Sequence, residues 1–197
     1  MPHKEGGCVN RVLFVPREDE VKFRVLEALD APLKELTVEA ICRKSGISKP
    51  TFYRHFSSKM DIPVWVSDFM SSKSLDEIGR SLTWQQGLEL FFSMGIQLLP
   101  YLQNLTVDPG SYAVICKQRT EHRYRAISDT LAMRGVEIDD SFKSTIEGYI
   151  KLELHFSEER LDEGRTQDPR EVFLVVRPFI PERLYRALEL PAATTRP

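Results

Sequence analysis

The chain of 197 residues is 42% hydrophobic with a formal net charge of −2, which gives enough apolar material for a real core and excludes a globally basic nucleic-acid coat. Its three cysteines, Cys8, Cys42 and Cys116, are far apart, odd in number and without a CxxC pair, so neither a disulfide framework nor a zinc site is indicated and a reducing compartment fits. No apolar run reaches the roughly 18 residues that span a bilayer and the opening lacks the basic-then-apolar plan of a signal peptide, so the expectation is no membrane and a cytoplasmic location.

Charge is unevenly distributed. Residues 1–59 hold 11 Lys and Arg against 8 Asp and Glu, a balance of +3, and the rest of the chain carries −5. The expected organisation is a small head at 1–60, comprising an N-terminal arm and a compact helical domain, and a larger helical body at 61–197. The opening MPHKEGGCVNRVLFVPRED reads as a loose arm ending at Pro16, whose apolar run 12–15 has the option of packing on the head. From about Glu18 to Leu29 the pattern predicts a helix with Val21, Val25 or Leu26, and Leu29 turned inward. Arg17, Lys22 and Arg24 are either phosphate ligands or ordinary solvated charges.

The next stretch, TVEAICRKSGISKPTFYRHFSSK from Thr37 to Lys59, reads as two short helices around a glycine turn. Thr37 caps the first by accepting from a backbone N–H two or three residues on. Val38, Ile41 and Cys42 form its apolar face, and Gly46 ends it in the left-handed conformation that glycine adopts without strain. Ile47 fills the gap at the turn. Ser48 caps the second helix, and Pro50 lies in its first turn, where a missing N–H costs nothing. Phe52 and Phe56, four residues apart, share the inward face. The outward positions carry Lys49 and Arg54, which can reach phosphates or guanine edges, Thr51 and Tyr53, whose hydroxyls can donate to phosphates, and Pro50, which can touch a thymine methyl. Polar residues outward are also what any amphipathic helix shows. Cap, glycine turn, cap, proline and an aromatic-basic face together at helix-turn-helix spacing point instead to DNA.

The segment LTVEAICRKSGISKPTFYRHFSSK resembles the signature of the TetR family of bacterial transcriptional regulators. The likeness is strong over 36–59, extends weakly over the preceding helix, and gives only architectural support beyond. It implies that Thr37, Tyr53 and Lys59 hold backbone phosphates, and that Ser48, Lys49, Pro50, Thr51, Arg54 and His55 lie in or beside the major groove. Glu39 departs from what DNA favours near the start of a binding helix. An acid there either accepts from a cytosine amine or faces water.

A connecting helix is expected after Lys59, capped by Ser57 or Ser58, with Pro63 in its first turns and Trp65, Phe69 and Met70 as its apolar stripe. Trp84 to Leu102 follows with Leu88, Phe91, Phe92, Ile96 and Leu99 as a core-facing band and Pro100 near its end. DPG at Asp108 to Gly110 signals a turn. A helix from about Ser111 to Met133, with a break in its middle an open question, closes at Arg134-Gly135. Asp139 or Asp140 caps the next, which carries Phe142, Ile146, Tyr149, Ile150, Leu152 and Phe156. EGRTQDP at Glu163 to Pro169 is a loop with a cap at Asp168, and Val172 to Leu190 is interrupted by Pro178 and Pro181. With no strand alternation, the fold class is all-α: an N-terminal three-helix helix-turn-helix domain and a C-terminal helical ligand-binding and dimerisation domain.

Two long apolar helices near the C-terminus exceed what one small body needs, and the resemblance implies that they meet a second subunit. A homodimer suits the function, because two heads one DNA turn apart read a two-fold operator in double-stranded DNA. Interface candidates are Phe142, Ile146, Tyr149, Ile150, Phe173, Val176 and Phe179, or else these are intramolecular core. Phe91, Phe92, Met94, Tyr112, Cys116, Tyr149 and His155 are candidates for an apolar pocket that takes a small-molecule effector, or else they too are plain core. Arg119 and His122 meet an acid group on a ligand, or only solvent. No GxSxG, phosphate loop or HExxH is present, and His3, His55, His122 and His155 show no metal-like spacing, so no catalysis, metal or cofactor is expected. The leading expectation is a dimeric repressor released from its operator by a small molecule. The alternative is a TetR-like coactivator or chromosome-organising protein whose body binds a protein partner.

Overall fold

The computed structural model describes residues 16–162 and 168–190, so the expected arm at 1–15, the loop around 163–167 and the tail 191–197 lie outside the described residues. Among the described residues there are nine α-helices and no strand, with one isolated bridge between Ile78 and Leu82. The chain is all-α. No helix in the described residues is long and apolar enough to cross a membrane. The chain divides into two compact units, Met1–Ile62 with Gln97–Asp108, and Pro63–Ile96 with Pro109–Pro197.

The first unit is built on α1 (Glu20–Glu27), α2 (Val38–Ser45) and α3 (Lys49–His55). It also holds the start of α4 (Asp61–Ser72) and the end of α5 (Trp84–Leu102). Its core is Phe23, Val25, Leu26, Leu29, Leu33, Ile41, Phe52, Phe56, Ile62 and Leu98, all buried. Phe23 joins Val25, Leu26 and Leu29 inside, whereas the expected Val21 is half-buried. None of these helices is long enough to stand alone in water. Burial of Phe52 contributes about 2–3 kcal/mol, and each N-cap about 1 kcal/mol. Packing therefore carries the stability, and the caps fix where each helix begins.

Residues 97–108 belong to this unit through the backbone. Leu33 N–H donates to the Asn104 carbonyl at 2.8 Å and Lys34 N–H to the Thr106 carbonyl at 3.0 Å. Asn104 Nδ2 donates to the Leu29 carbonyl at 2.6 Å. The loop between α1 and α2 is thus tied down by a segment far along the chain.

The second unit contains the remainder of α4, a 3-10 turn at Leu75–Glu77, most of α5, and α6 (Pro109–Met133), α7 (Asp140–Asp162), α8 (Pro169–Val176), a 3-10 turn at Arg177–Phe179, and α9 (Glu182–Leu188). Trp84 is fully buried, edge-on to Tyr149 at 5.8 Å and stacked on Tyr185 at 6.3 Å. Its Nε1 donates to the Tyr185 carbonyl at 3.1 Å. Gly87 lets the turn after α4 approach α5, because a Cβ there would sit 2.4 Å from Ile78 Cγ1. α6 is unbroken. Asp139 caps α7, accepting from Phe142 N–H at 2.8 Å, and Asp168 caps α8, accepting from Arg170 N–H at 3.0 Å.

The C-terminal helices differ from the expectation of two long ones. α7 has 23 residues, but α8 has 8 and α9 has 7. Pro178 lies in the 3-10 turn that ends α8 and Pro181 is the N-cap of α9. Proline removes a backbone donor and clashes with the preceding turn, so the apolar run is cut in two.

Candidate nucleic-acid interface

Local sequence sets the geometry of α2 and α3. Thr37 Oγ1 accepts from Ala40 N–H at 3.1 Å, and Gly46 leaves α2 at φ 67°. Ser48 Oγ accepts from Thr51 N–H at 3.2 Å and shares a 2.8 Å hydrogen bond with Thr51 Oγ1. Phe52 and Phe56 pack at 5.4 Å between ring centroids and bury one side of α3. The opposite side is turned out: Ser48, Lys49, Pro50, Tyr53 and Arg54 are exposed, and Thr51 and His55 are half-buried. Tyr53 is held edge-on against Phe52 at 5.5 Å, which leaves its ring 55% exposed.

The charged groups on this surface differ in how free they are. Arg54 forms no ion pair among the described residues, whereas Lys49 Nζ lies 3.1 Å from Glu39 Oε2. Burial, and next the charge of Arg54, hold the His55 imidazole below the usual histidine range. At neutral pH it is therefore an uncharged donor and acceptor. Burial pushes the Cys42 thiol up, which keeps it protonated.

Lys59 is engaged within the protein. Its Nζ donates to the carbonyls of Leu33 at 2.8 Å, Lys34 at 3.2 Å and Leu36 at 2.7 Å. All three ammonium hydrogens are taken, so the side chain staples the α1–α2 loop to the start of α4. Arg24 has a similar structural use, donating to the carbonyls of Ser45 at 2.8 Å and Gly46 at 3.2 Å. Lys22 pairs with Asp19 and Lys44 with Asp30. At the start of α4 the Asp61 carboxylate reaches back to accept from Ser57 N–H at 2.7 Å and Ser58 N–H at 3.2 Å, while Ser58 Oγ accepts from Met60 N–H at 3.1 Å.

In the second unit the residues expected to line an effector pocket are dispersed. Phe91, Phe92, Met94 and Tyr149 are buried in packed contacts. Tyr112 is 46% exposed and hydrogen-bonds Glu158, and Cys116 is half-buried. His155 lies on the outer side of α7, 73% exposed and paired with Glu159 at 3.4 Å. The α7 face that turns inward carries Ile146, Tyr149, Ile150, Glu153 and Ser157 instead. The interface candidates divide as well: Phe142, Ile146, Tyr149, Ile150 and Val176 are core of their own unit, Phe173 is half-buried and Phe179 is 54% exposed.

A buried polar network sits in that core. Arg123 Nε donates to Glu153 Oε2 at 2.8 Å, and its Nη1 to the Leu75 carbonyl at 2.7 Å. Tyr149 donates its hydroxyl to Glu153 Oε1 at 2.8 Å. His122 bridges Asp76 through Nε2 at 2.8 Å and Asp68 through Nδ1 at 3.4 Å. Arg119 pairs with Glu158 at 2.5 Å and donates to Ser67 Oγ at 3.0 Å. Arg119 and His122 therefore meet the protein's own acids and hydroxyls, where the sequence left a ligand or solvent. A separate cleft of about 380 Å³ lies between α6 and α7, lined by Thr120, Glu121, Tyr124, Arg125, Glu147 and Lys151. It shares no residue with the expected pocket.

Residues 30–62 match the family model of bacterial regulatory proteins of the tetR family, the stretch that contains α2, α3 and the loop stapled by Lys59. No curated protein and no solved structure matches the chain. The capped α2–turn–α3 unit coincides with that match, so this segment is similar to the helix-turn-helix of the tetR family of bacterial regulatory proteins.

Proposed function

We propose that this protein is a sequence-specific transcriptional regulator that binds double-stranded DNA as a homodimer and acts as a repressor released by a small-molecule effector. One observation carries the DNA reading: α3 is locked by Phe52 and Phe56 so that Lys49, Pro50, Tyr53 and Arg54 stand together on its open side. In this reading Tyr53 and Thr37 hold phosphates, Lys49, Pro50, Arg54 and the neutral His55 face base edges, and the hydroxyls of Ser48 and Thr51 set the helix start. Lys59 contributes by fixing the loop, not by touching DNA.

Dimerisation is supported by apolar side chains left uncovered beside α7 and α8. Leu174 is 71% exposed, Phe179 54% and Leu152 38%. The effector is the finer part of the reading, and the α6–α7 cleft falls within the 300–1,000 Å³ range of ligand sites. An effector must favour one body conformation over another, because a ligand that binds both equally shifts nothing. The same exposed apolar residues support the second reading, a body that docks a different protein.

Selection of bound sequences from a random duplex pool at stated salt tests the proposal. A two-fold symmetric motif is expected. Y53F should weaken binding similarly on every sequence, and R54A should relax preference at one position. Equal losses on selected and random DNA for R54A, or a loss confined to selected DNA for Y53F, would refute the roles assigned, and no enrichment at all would refute sequence-specific binding.

A further inference from the structure

Glu39 is the second residue of α2 and Lys49 the first of α3. The turn at Gly46 brings them together across the helix-turn-helix, with Lys49 Nζ donating to Glu39 Oε2 at 3.1 Å. Both side chains are open to solvent, at 72% for Glu39 and 55% for Lys49. An exposed pair of this kind adds little to folding. Its cost to DNA binding is larger in kind, because a carboxylate beside the reading helix cancels one of the two formal cations of α3 and repels phosphate.

We propose that Glu39 and Lys49 act as one composite reader of a single G·C base pair. This rests on the DNA-binding reading above. In the major groove, guanine offers N7 and O6 as acceptors and cytosine offers its N4 amine as a donor. O6 and N4 are joined by a Watson–Crick hydrogen bond and so lie about 2.9 Å apart. The ammonium and carboxylate, 3.1 Å apart, match that spacing with opposite polarity. Lys49 donates to O6, the second N4 hydrogen donates to Glu39, and the ion pair stays intact. Neither charge has to be stripped of its partner to reach the base pair.

The same geometry discriminates. In the orientation that puts Lys49 over guanine, N7 adds a second acceptor on the cationic side. A T·A pair in that orientation also shows an acceptor beside a donor, thymine O4 and adenine N6. It then places the adenine N7 acceptor against the Glu39 carboxylate and the thymine methyl against the ammonium, both unfavourable. C·G and A·T reverse the donor and the acceptor and so oppose both groups. Arg54, which has no acidic partner among the described residues, lacks this constraint.

The test is selection of bound sequences by the full-length chain and by its E39A and K49A variants, at one stated salt concentration. The cap of α2 is the bond from Ala40 N–H to Thr37 Oγ1, which does not use the Glu39 side chain, so E39A leaves that cap in place. Both variants are expected to lose preference at the same G·C pair of each half-site, by about tenfold each. E39A should also bind random duplex more tightly, with the salt slope steeper by about 0.9 as Lys49 is freed for a phosphate. Variants that relax different base pairs, or an E39A motif unchanged at every position, would overturn the composite reader while the DNA reading stood. Failure of the wild-type chain to enrich any motif would instead remove the DNA reading and this inference with it.

Discussion

His122 makes the stability of the second unit depend on proton concentration, with a sign that follows from its surroundings. Its Nε2 lies 2.8 Å from Asp76 and its Nδ1 3.4 Å from Asp68, on the 3-10 turn and on α4. The hydrogen bond to Asp76 raises its pKa most; burial opposes this, Asp68 and Asp76 add to it through charge, and Arg125 subtracts. A raised pKa means that the folded state binds the proton more tightly than the unfolded chain does. The stabilisation is complete below the unfolded value of about 6.5 and is lost as pH rises through the higher folded value. Neutral imidazole keeps one N–H, which the shorter Asp76 contact retains, so the Asp68 contact is the one lost. With His122 and Asp68 partly open to solvent, at 29% and 40%, that contact is worth about 0.5–1 kcal/mol. For a chain of this size the shift in Tm is about 1–4 °C. Calorimetry of wild type and H122Q between about pH 5 and 8.5 isolates the effect, since His55, held low, titrates with the opposite sign in both proteins. The Tm difference should shrink as pH rises. Parallel curves would refute the bridging role, as would an NMR titration of His122 at or below the ordinary value.

Three further outcomes follow from the packing. R123L leaves Glu153, 3% exposed, as a buried charge with Tyr149 for a partner, and should cost about 3–5 kcal/mol in urea unfolding; the double variant R123L/E153L should recover most of that, and a double variant as unstable as the single would count against the pair. G87A forces a methyl to within 2.4 Å of Ile78 Cγ1 and should cost about 1–3 kcal/mol, while G87A/I78A loses less than the sum of the two single changes. K59M removes three charged hydrogen bonds to loop carbonyls and should lower stability by about 1–2 kcal/mol. It should leave the salt slope of DNA binding unchanged, and a slope lowered by about 1 with stability intact would show a phosphate contact instead.

What the sequence revealed and what it hid divide by the range of the interaction. Thr37, Gly46 and Ser48 were legible because a cap or helix exit is decided within four residues. Phe52 and Phe56 were legible because four residues return a helix to the same face. The loop contacts of Lys59 are not legible in sequence because its partners lie 23 to 26 residues back, and nothing in a lysine's neighbours says which carbonyls it will reach. The tie from Asn104 to Leu29 spans 75 residues and left no local trace. On α7, apolarity marked Phe142, Ile146 and Ile150 as buried but could not say against what, and they serve their own unit. Glu153 escaped notice because an acid at a core position looks, in one dimension, like a solvated one. Its partner Arg123 sits 30 residues away. His155, two positions on, is by sequence a candidate for a pocket or for core, yet its side chain stands 73% exposed beside Glu159.

Counting charge along the chain overstates what the head can offer to DNA. Residues 1–59 carry a balance of +3, yet most of the described lysines there are already committed: Lys22 to Asp19, Lys44 to Asp30, Lys49 to Glu39 and Lys59 to three carbonyls. Arg24 is spent on the end of α2. Arg54 on α3 and Arg43 in the last turn of α2 are the exposed cations of the helix-turn-helix that form no ion pair among the described residues. Since counterion release scales with the number of phosphates neutralised, few free cations mean weak binding to arbitrary sequence. On the proposed reading, affinity comes from contacts made only where base edges fit, and Glu39, which looks unsuited to DNA in the sequence, penalises every site where they do not.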